Sequence, residues 1–280
     1  MKNIFKILLF TFFVFAGNEV LNHTQVKAEE CTVNSGVLAA ADVNSGCQTE
    51  PDSYGIVIYE LWLCTSAPTA PTTSSALDLS NCEQIFANSD GSSVSLTTGG
   101  SVNLSGTQTL PSPGTYTHGV VKMNNTFAIT AAVQLSTSYN GQVSGSGVYC
   151  ATVDGSGASA STGDSTDRTV CGSSPLTAGT YTESLTSFDT PFDAIANETN
   201  IAGTGANIDA YLVDSDEFLA TADANVNNLH GVVEFPSSST ITASTSSVTI
   251  SFNVSEGMSI DGAGSLYMGS GPFQATITVN

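Results

Sequence analysis

One stretch of the sequence carries oxygen ligands at a spacing known from calcium sites. It reads DANVNNLHGVVE, residues 223–234. Four of its side chains fall at positions 1, 3, 5 and 12 of an EF-hand loop and are predicted to bind calcium: Asp223, Asn225, Asn227 and Glu234. Two features depart from that loop, since Asn228 replaces the turn glycine and Pro236 follows where an exit helix would run. The alternative is an Asx-rich turn that leads into a strand.

The sequence offers little for covalent or cofactor-dependent catalysis. Outside the N-terminal segment, histidine occurs only at His118 and His230, and no G-x-S-x-G motif precedes a helical pattern. P-loop and dinucleotide-binding motifs are also missing, so no organic cofactor is predicted. Because His118 alternates with Tyr116 and Val120, it is expected to be a packed or edge residue of a strand. We therefore predict that the protein is not an enzyme, with a secreted hydrolase using paired carboxylates as the remaining enzymatic alternative.

The charge of the chain restricts its partners. It has 25 Asp and Glu residues against five Lys and Arg residues, a formal net charge of −20. Removal of residues 1–28 would leave Lys122 and Arg168 as the only strong cations and a formal charge of −22. Two cations cannot neutralise a row of phosphates, so neither nucleic acid nor an anionic membrane surface is an expected partner. The acidity favours solubility and the accumulation of cations.

The N-terminus has the layout of a secretory signal peptide. A basic start, an apolar core and a polar end follow one another in MKNIFK, ILLFTFFVFAG and the stretch ending VKAEE. We predict cleavage after Ala28, with Ala16 as the earlier alternative. The apolar run is shorter than the roughly 20 residues of a membrane-spanning helix, and no later segment is longer. Residues 29–280 are therefore predicted to form one large domain of a bacterial protein, secreted or at the cell surface, with the periplasm as the alternative.

All six cysteines lie beyond the predicted signal peptide, and an even number in that context indicates disulfides. Pairing of neighbours would close three loops of similar size: Cys31–Cys47, Cys64–Cys82 and Cys150–Cys171. Other connectivities stay open on sequence alone. Zinc is the alternative, although the chain has no C-x-x-C motif and neither His118 nor His230 is near a cysteine pair.

A period of two dominates the apolar pattern. It is clear in SVTISFNVSEG and in ATITVN, whereas YGIVIYELWLC is apolar on both faces and is typical of a central strand. With few charges and many turn residues, this predicts an all-β sandwich or jelly roll with long disulfide-stapled loops and at most one short helix. The helix is predicted at residues 208–222, where Ile208, Leu212 and Ala222 approximate one face.

Two loops and two tyrosines complete the pattern. The polar segment 65–81 is expected to tolerate shortening at little cost, and residues 152–168 are expected to form an exposed loop. The tetrapeptide GTYT occurs twice, with Tyr116 and Tyr181 in equivalent places. Each tyrosine is predicted to bury its ring at a strand entry and to bond its hydroxyl to the backbone.

The last segment, GPFQATITVN, predicts an uncharged strand. It is expected either to pair internally or to offer its edge to another copy. Together these features predict a structural or adhesive surface protein, a fibre, coat or matrix subunit that self-assembles through edge strands. The alternative is a carbohydrate- or ligand-binding module with a glycan or cell-surface partner, whose open face would carry four aromatic candidates: Tyr54, Tyr59, Trp62 and Tyr139.

Overall fold

A computed structural model of the protein describes residues 29–97, 104–159, 168–189, 191–200, 204–262 and 264–279. Its strands, in chain order, are β1 (Glu29–Glu30), β2 (Val33–Asn34), β3 (Val37–Leu38), β4 (Cys47–Thr49), β5 (Ser53–Cys64), β6 (Cys82–Leu96), β7 (Thr107–Gln108), β8 (Gly114–Asn124), β9 (Thr126–Thr130), β10 (Ala132–Asn140), β11 (Ser146–Thr152), β12 (Gly155–Ser159), β13 (Thr169–Gly172), β14 (Tyr181–Leu185), β15 (Ile195–Thr199), β16 (Asn207–Val213), β17 (Asn228–Ile241), β18 (Val248–Asn253), β19 (Met258–Asp261), β20 (Tyr267–Ser270) and β21 (Gln274–Val279). The helical segments are α1 (Ala40–Val43) and a 3₁₀ turn at Asp223–Asn225. The predicted all-β class with at most one short helix is confirmed.

The described strands form four sheets. The largest has the order β12-β14-β9-β5-β8-β17-β16-β15, with β6 paired to β5 and β7 paired to β6. A second sheet has the order β13-β11-β10-β3-β2, and a third has the order β1-β4-β19-β20. Strands β18 and β21 pair with each other as a two-stranded ribbon. One large apolar core connects all four sheets.

Strand β5 is the centre of the large sheet, as its doubly apolar sequence predicts. It pairs with β6 on one side, and with β8 and β9 on the other. Leu61 and Leu63 face the main core, and we call this the inner face of the sheet. Trp62 and Cys64 alternate with them and face a second, smaller core on the outer face.

Residues 65–81, which we call the stapled hairpin, cover this outer face. The segment is held by backbone hydrogen bonds, including Asp78 N–H to the Thr69 carbonyl at 3.0 Å. Pro71 and Leu77 are buried, and Leu77 packs in the small core with Val120 and Val232. The structure argues against the expectation that this segment can be shortened at little cost, because its backbone and side chains are both engaged.

The helix predicted at residues 208–222 is wrong. Asn207–Val213 is strand β16, which pairs with β15 and β17, and the chain then turns at Asp214. Leu212 faces the main core while Val213 faces the small core, so this strand is covered on both sides. A doubly covered strand gives a continuous apolar run that periodicity alone cannot separate from a helix.

The loop predicted at residues 152–168 also needs correction. Gly155–Ser159 is strand β12, paired in parallel with β14. Residues 160–167 lie outside the described residues, as does the predicted signal peptide, residues 1–28. The sequence of this strand contains only small residues and has no strand pattern, so the strand is recognisable only from its backbone pairing with β14.

The three predicted disulfides are confirmed. Cys31 bonds to Cys47, Cys64 to Cys82, and Cys150 to Cys171, which leaves no free cysteine. The second and third bonds join residues that lie directly opposite one another on paired strands. They therefore staple adjacent strands and fix the loops between them.

The predicted tyrosine corner is present at Tyr116, which is 1% exposed and donates its hydroxyl to the Ser112 carbonyl at 2.8 Å. Tyr181 is also buried, at the start of β14.

Among the described residues, no helix is long and apolar enough to cross a membrane.

Candidate functional site

A row of polar side chains crosses the outer face of the large sheet. The backbone register places Glu60 opposite Lys122, Lys122 opposite His230, and His230 opposite Tyr211. Residues directly opposite one another on adjacent strands project to the same face. Four strands, β5, β8, β17 and β16, therefore bring these groups together.

Lys122 is the centre of this row. Its Nζ donates to both carboxylate oxygens of Glu217, at 2.9 and 2.8 Å, and lies 3.3 Å from Oε2 of Glu60. The lysine side chain is 11% exposed, whereas Glu217 and Glu60 retain 42% and 30%. Glu60 Oε2 also accepts the indole N–H of Trp62 at 2.9 Å. We call these four residues and His230 the lysine cluster.

Glu217 reaches Lys122 from the turn that follows β16. Oδ1 of Asp214 accepts the backbone N–H groups of Asp216 and Phe218, each at 3.0 Å. Glu217 itself has a φ of 64°, in the left-handed region that is unfavourable for a residue other than glycine. The bidentate contact with Lys122 offsets this cost, so the ion pair fastens the turn to the sheet.

His230 lies beside Lys122 and is 1% exposed, and its Nδ1 has no hydrogen-bond partner. Burial lowers the pKa of His230 to about 4. The charge of Lys122 also lowers this pKa, whereas the charge of Glu60 raises it. The imidazole is therefore neutral at pH 7. A cation held between carboxylates beside a buried neutral ring is an internal clamp, which stabilises the outer layer of the protein.

The four predicted calcium ligands lie on two different elements. Asp223 and Asn225 are in the 3₁₀ turn and Asn227 directly precedes β17, whereas Glu234 is on β17 itself. A strand rises about 3.3 Å per residue, so Glu234 lies roughly 20 Å along β17 from its first residue.

Two of these side chains have other partners. Glu234 Oε2 accepts a hydrogen bond from Asn207 Nδ2 at 2.7 Å, and Asp223 Oδ1 accepts one from the Thr186 hydroxyl at 3.2 Å. Within the described residues, no group of three or more His, Cys, Asp or Glu side chains gathers as a metal site. The first three predicted ligands lie close together in the chain, at the 3₁₀ turn and just before β17, and calcium binding by the set of four stays a prediction.

The aromatic residues considered for glycan stacking are mostly internal. Tyr54 is fully buried and donates its hydroxyl to the Gly271 carbonyl at 3.0 Å. Tyr139 is buried, and its hydroxyl lies within hydrogen-bonding distance of two acceptors, the Ala40 carbonyl at 3.2 Å and Asn44 Oδ1 at 3.0 Å. Trp62 packs against the small core, and half-buried Tyr59 accepts a hydrogen bond from an asparagine. The open stacking face is therefore not formed by Tyr54 or Tyr139.

His118, the other histidine that sequence reasoning considered, lies on β8 as expected. It is half-buried, and its Nδ1 lies 2.8 Å from the Thr117 hydroxyl. Its register partners are Cys64 and Glu234. This confirms a packed strand position.

Glu183 is a buried carboxylate that sequence reasoning missed. It is 0% exposed and accepts hydrogen bonds from the Tyr267 hydroxyl at 2.7 Å and from Ser270 N–H at 2.5 Å. Burial raises the pKa of Glu183, while these two donors oppose the rise. The contacts join β14 of the large sheet to β20 of the third sheet. A signal was present in the sequence, because Glu183 shares its strand face with the buried Tyr181.

No protein-family model, curated protein or solved structure matches the chain. Function is therefore inferred from the residues and geometry of this protein alone.

Proposed function

We propose that this protein is a secreted structural or adhesive subunit of a bacterial cell surface, a component of a fibre, coat or matrix. Copies of the chain associate through edge strands. The main support is the ribbon formed by β18 and β21.

The ribbon is paired internally and consists of two strands. Its strands pair antiparallel across six residue pairs, from Val248 opposite Val279 to Asn253 opposite Gln274. Internal pairing, one of the two alternatives that the sequence left open, is therefore observed. Neither strand pairs with a third strand among the described residues. Backbone groups on such an edge are a template for strand addition.

The ribbon is also firmly anchored. Phe252 is buried in the main core, and Val248, Ile250 and Val279 pack against that core. Phe252 contacts Phe273 at a ring-centroid distance of 5.9 Å, just before β21. The edge is consequently presented by a fixed element of the fold.

A second copy of the chain is a suitable occupant of this edge. Neither strand contains a charged residue, although the chain has a formal charge of −20. Like-charged copies repel one another over most of their surface, so uncharged strands are the favoured point of approach. The two strands also alternate Thr or Ser with apolar residues in the same way. A strand of this kind from a second copy therefore has the same side-chain pattern as the strand with which each already pairs.

The rest of the structure suits a durable extracellular component. Three disulfides staple the strands, each worth about 3 kcal/mol in the loop-entropy model, and they are typical of oxidising compartments. The lysine cluster adds a clamp that holds the turn after β16 against the sheet.

Sedimentation velocity on residues 29–280 tests the proposal. The wild type should form larger species as its concentration rises. Thr276→Asp introduces a charge on the exposed face of β21 and should suppress them, because edge charges oppose strand addition. Thr137→Asp is the matched control, since Thr137 is also an exposed strand threonine but lies on β10, inside the second sheet.

Thermal melting by circular dichroism establishes that both variants are folded. A wild type that stays monomeric at every concentration would overturn the proposal. Equal suppression by the two substitutions would show that the ribbon is not the point of association.

A further inference from the structure

The lysine cluster holds an amine against a carboxylate in a position from which the two can react. Nζ of Lys122 lies 2.9 and 2.8 Å from the two carboxylate oxygens of Glu217. The carboxyl carbon, Cδ, is bonded to both oxygens, so Nζ faces it at close range. Reactants held about 3 to 3.5 Å apart react at effective molarities far above any concentration in solution. The Glu217 side chain is 42% exposed, so its carboxylate has room to rotate and present the face of Cδ to the amine.

A second carboxylate is placed to carry protons between these groups. Oε2 of Glu60, on β5, lies 3.3 Å from Nζ of Lys122. The same oxygen accepts the indole N–H of Trp62 at 2.9 Å, which fixes its direction. One carboxylate is enough to balance the charge of the ammonium. Glu60 is therefore an additional proton acceptor beside the amine.

The surroundings of the amine are largely closed to water. The Lys122 side chain is 11% exposed, and His230, opposite it on β17, is 1% exposed. Nδ1 of His230 is buried without a hydrogen-bond partner, so the ion pair does not satisfy all the polar groups around the amine. Charges held away from water are costly, even when they are paired. Condensation of the amine with the carboxylate to a neutral amide would remove two of them.

We propose that Lys122 and Glu217 form an intramolecular isopeptide bond, and that the folded chain makes this bond without another enzyme or a cofactor. One ammonium proton passes to the Glu217 carboxylate, Nζ attacks Cδ, and a C–O bond breaks as the N–C bond forms. Glu60 takes a second proton from Nζ and delivers it to the leaving oxygen, which departs as water. The amide keeps the third proton, and Glu60 ends the reaction unchanged.

The bond would join β8 to the turn after β16, which lies 95 residues further along the chain. The ion pair is the state in which the two groups meet on folding, and the amide follows from it. Unlike the three disulfides, this link would survive reduction. The proposal rests on the lysine cluster alone and holds whether or not copies of the chain associate.

Trypsin digestion of purified residues 29–280 tests for the bond, because Lys122 and Arg168 are the only lysine and arginine in that range. The protein is unfolded, and its disulfides are reduced and alkylated, before trypsin is added. Trypsin does not cleave after a lysine whose Nζ is part of an amide, so it should cut only after Arg168. The products 29–168 and 169–280 should stay joined as one band on a reducing gel. The mass of the undigested protein should be lower than the sequence requires by one water molecule.

Two variants separate the reaction from the fold. Glu60→Gln keeps an acceptor for the Trp62 indole but removes the proton carrier, so it should release three tryptic fragments and retain the full mass. Glu234→Gln is the matched control, because Glu234 is also a carboxylate on the outer face but bonds to Asn207. It should behave like the wild type. Thermal melting by circular dichroism shows that each variant is folded, and the wild-type digest and mass decide the bond without either variant.

Three results would overturn the proposal. Three fragments and the full mass from the wild type would show that Lys122 and Glu217 form an ion pair only. Separate fragments 29–168 and 169–280, with one water lost, would place the amide on a carboxylate before Arg168, such as Glu60. Loss of one water from Glu60→Gln as well would show that Glu60 takes no part in the reaction.

Discussion

Acidification should destabilise the protein through His230. The pKa of this histidine is 6.5 in an unfolded chain and about 4 in the folded protein, because the ring is buried beside Lys122. Between these values the unfolded chain binds a proton that the folded protein does not, so stability falls as the pH falls from 6.5 toward 4. This lowering of the pKa corresponds to about 3 kcal/mol of unfolding free energy.

Urea unfolding between pH 4 and 8 measures this effect, with His230→Leu as the comparison. Leucine fills the buried position without a titrating group, so the variant should lack this part of the pH dependence. Glu198 acts in the opposite sense, because its raised pKa makes stability fall as the pH rises from 4.5 to about 7. Both proteins should therefore carry Glu198→Gln, which removes the opposing contribution.

In the Glu198→Gln background, acidification from pH 7 to pH 4 should lower the unfolding free energy of the protein with His230 by about 3 kcal/mol more than that of the His230→Leu variant. Parallel stability curves for the two proteins would refute the reasoning. They would show that the imidazole reaches solvent and is protonated in the folded protein.

Three further perturbations test the outer layer of the protein. Lys122→Met should lower the unfolding free energy, measured in urea, by about 2 to 3 kcal/mol, because it leaves two partly buried carboxylates without their cation. A loss below about 0.5 kcal/mol would contradict a stabilising role for this ion pair. Peptide mapping without reduction should recover Cys64 bonded to Cys82, and a free thiol at either position would disprove this disulfide. Replacement of both cysteines by alanine should lower the unfolding free energy by about 3 kcal/mol. Deletion of residues 68–73 should lower the Tm, because the Thr72 carbonyl accepts a backbone hydrogen bond from Leu219 N–H at 2.9 Å. An unchanged Tm would show that these residues of the stapled hairpin do not contribute to stability.

Local patterns predicted much of this fold. Alternation in Val248–Asn253 and the doubly apolar run of β5 identified strands that the structure contains. The spacing of cysteines predicted all three disulfides, because each pair joins residues that are only 16 to 21 positions apart in the sequence. These features depend on residues that are close in the sequence.

The errors come from contacts between distant segments. Leu212 and Val213 face different cores, so the apolar run of β16 gave no sign that it was a strand. The strand Gly155–Ser159 has an uninformative sequence and exists through its pairing with β14. The order of the strands in each sheet was likewise beyond local patterns.

The polar clusters were the least predictable feature. Lys122 meets Glu217 from a turn 95 residues further along the chain. The Glu183 carboxylate and the Tyr267 hydroxyl meet only when the third sheet packs on the large sheet. The calcium pattern at residues 223–234 is a local pattern, and it did not reveal that Glu234 lies on β17 while Asp223 and Asn225 lie in the 3₁₀ turn.

Negative-stain electron microscopy of purified residues 29–280, across a range of protein concentrations, tests the proposed structural role most directly. We predict filaments, sheets or other regular assemblies that grow with concentration and that Thr276→Asp suppresses. Separate, uniform monomers at every concentration would contradict the proposal that copies of this chain build a surface structure through the β18–β21 ribbon.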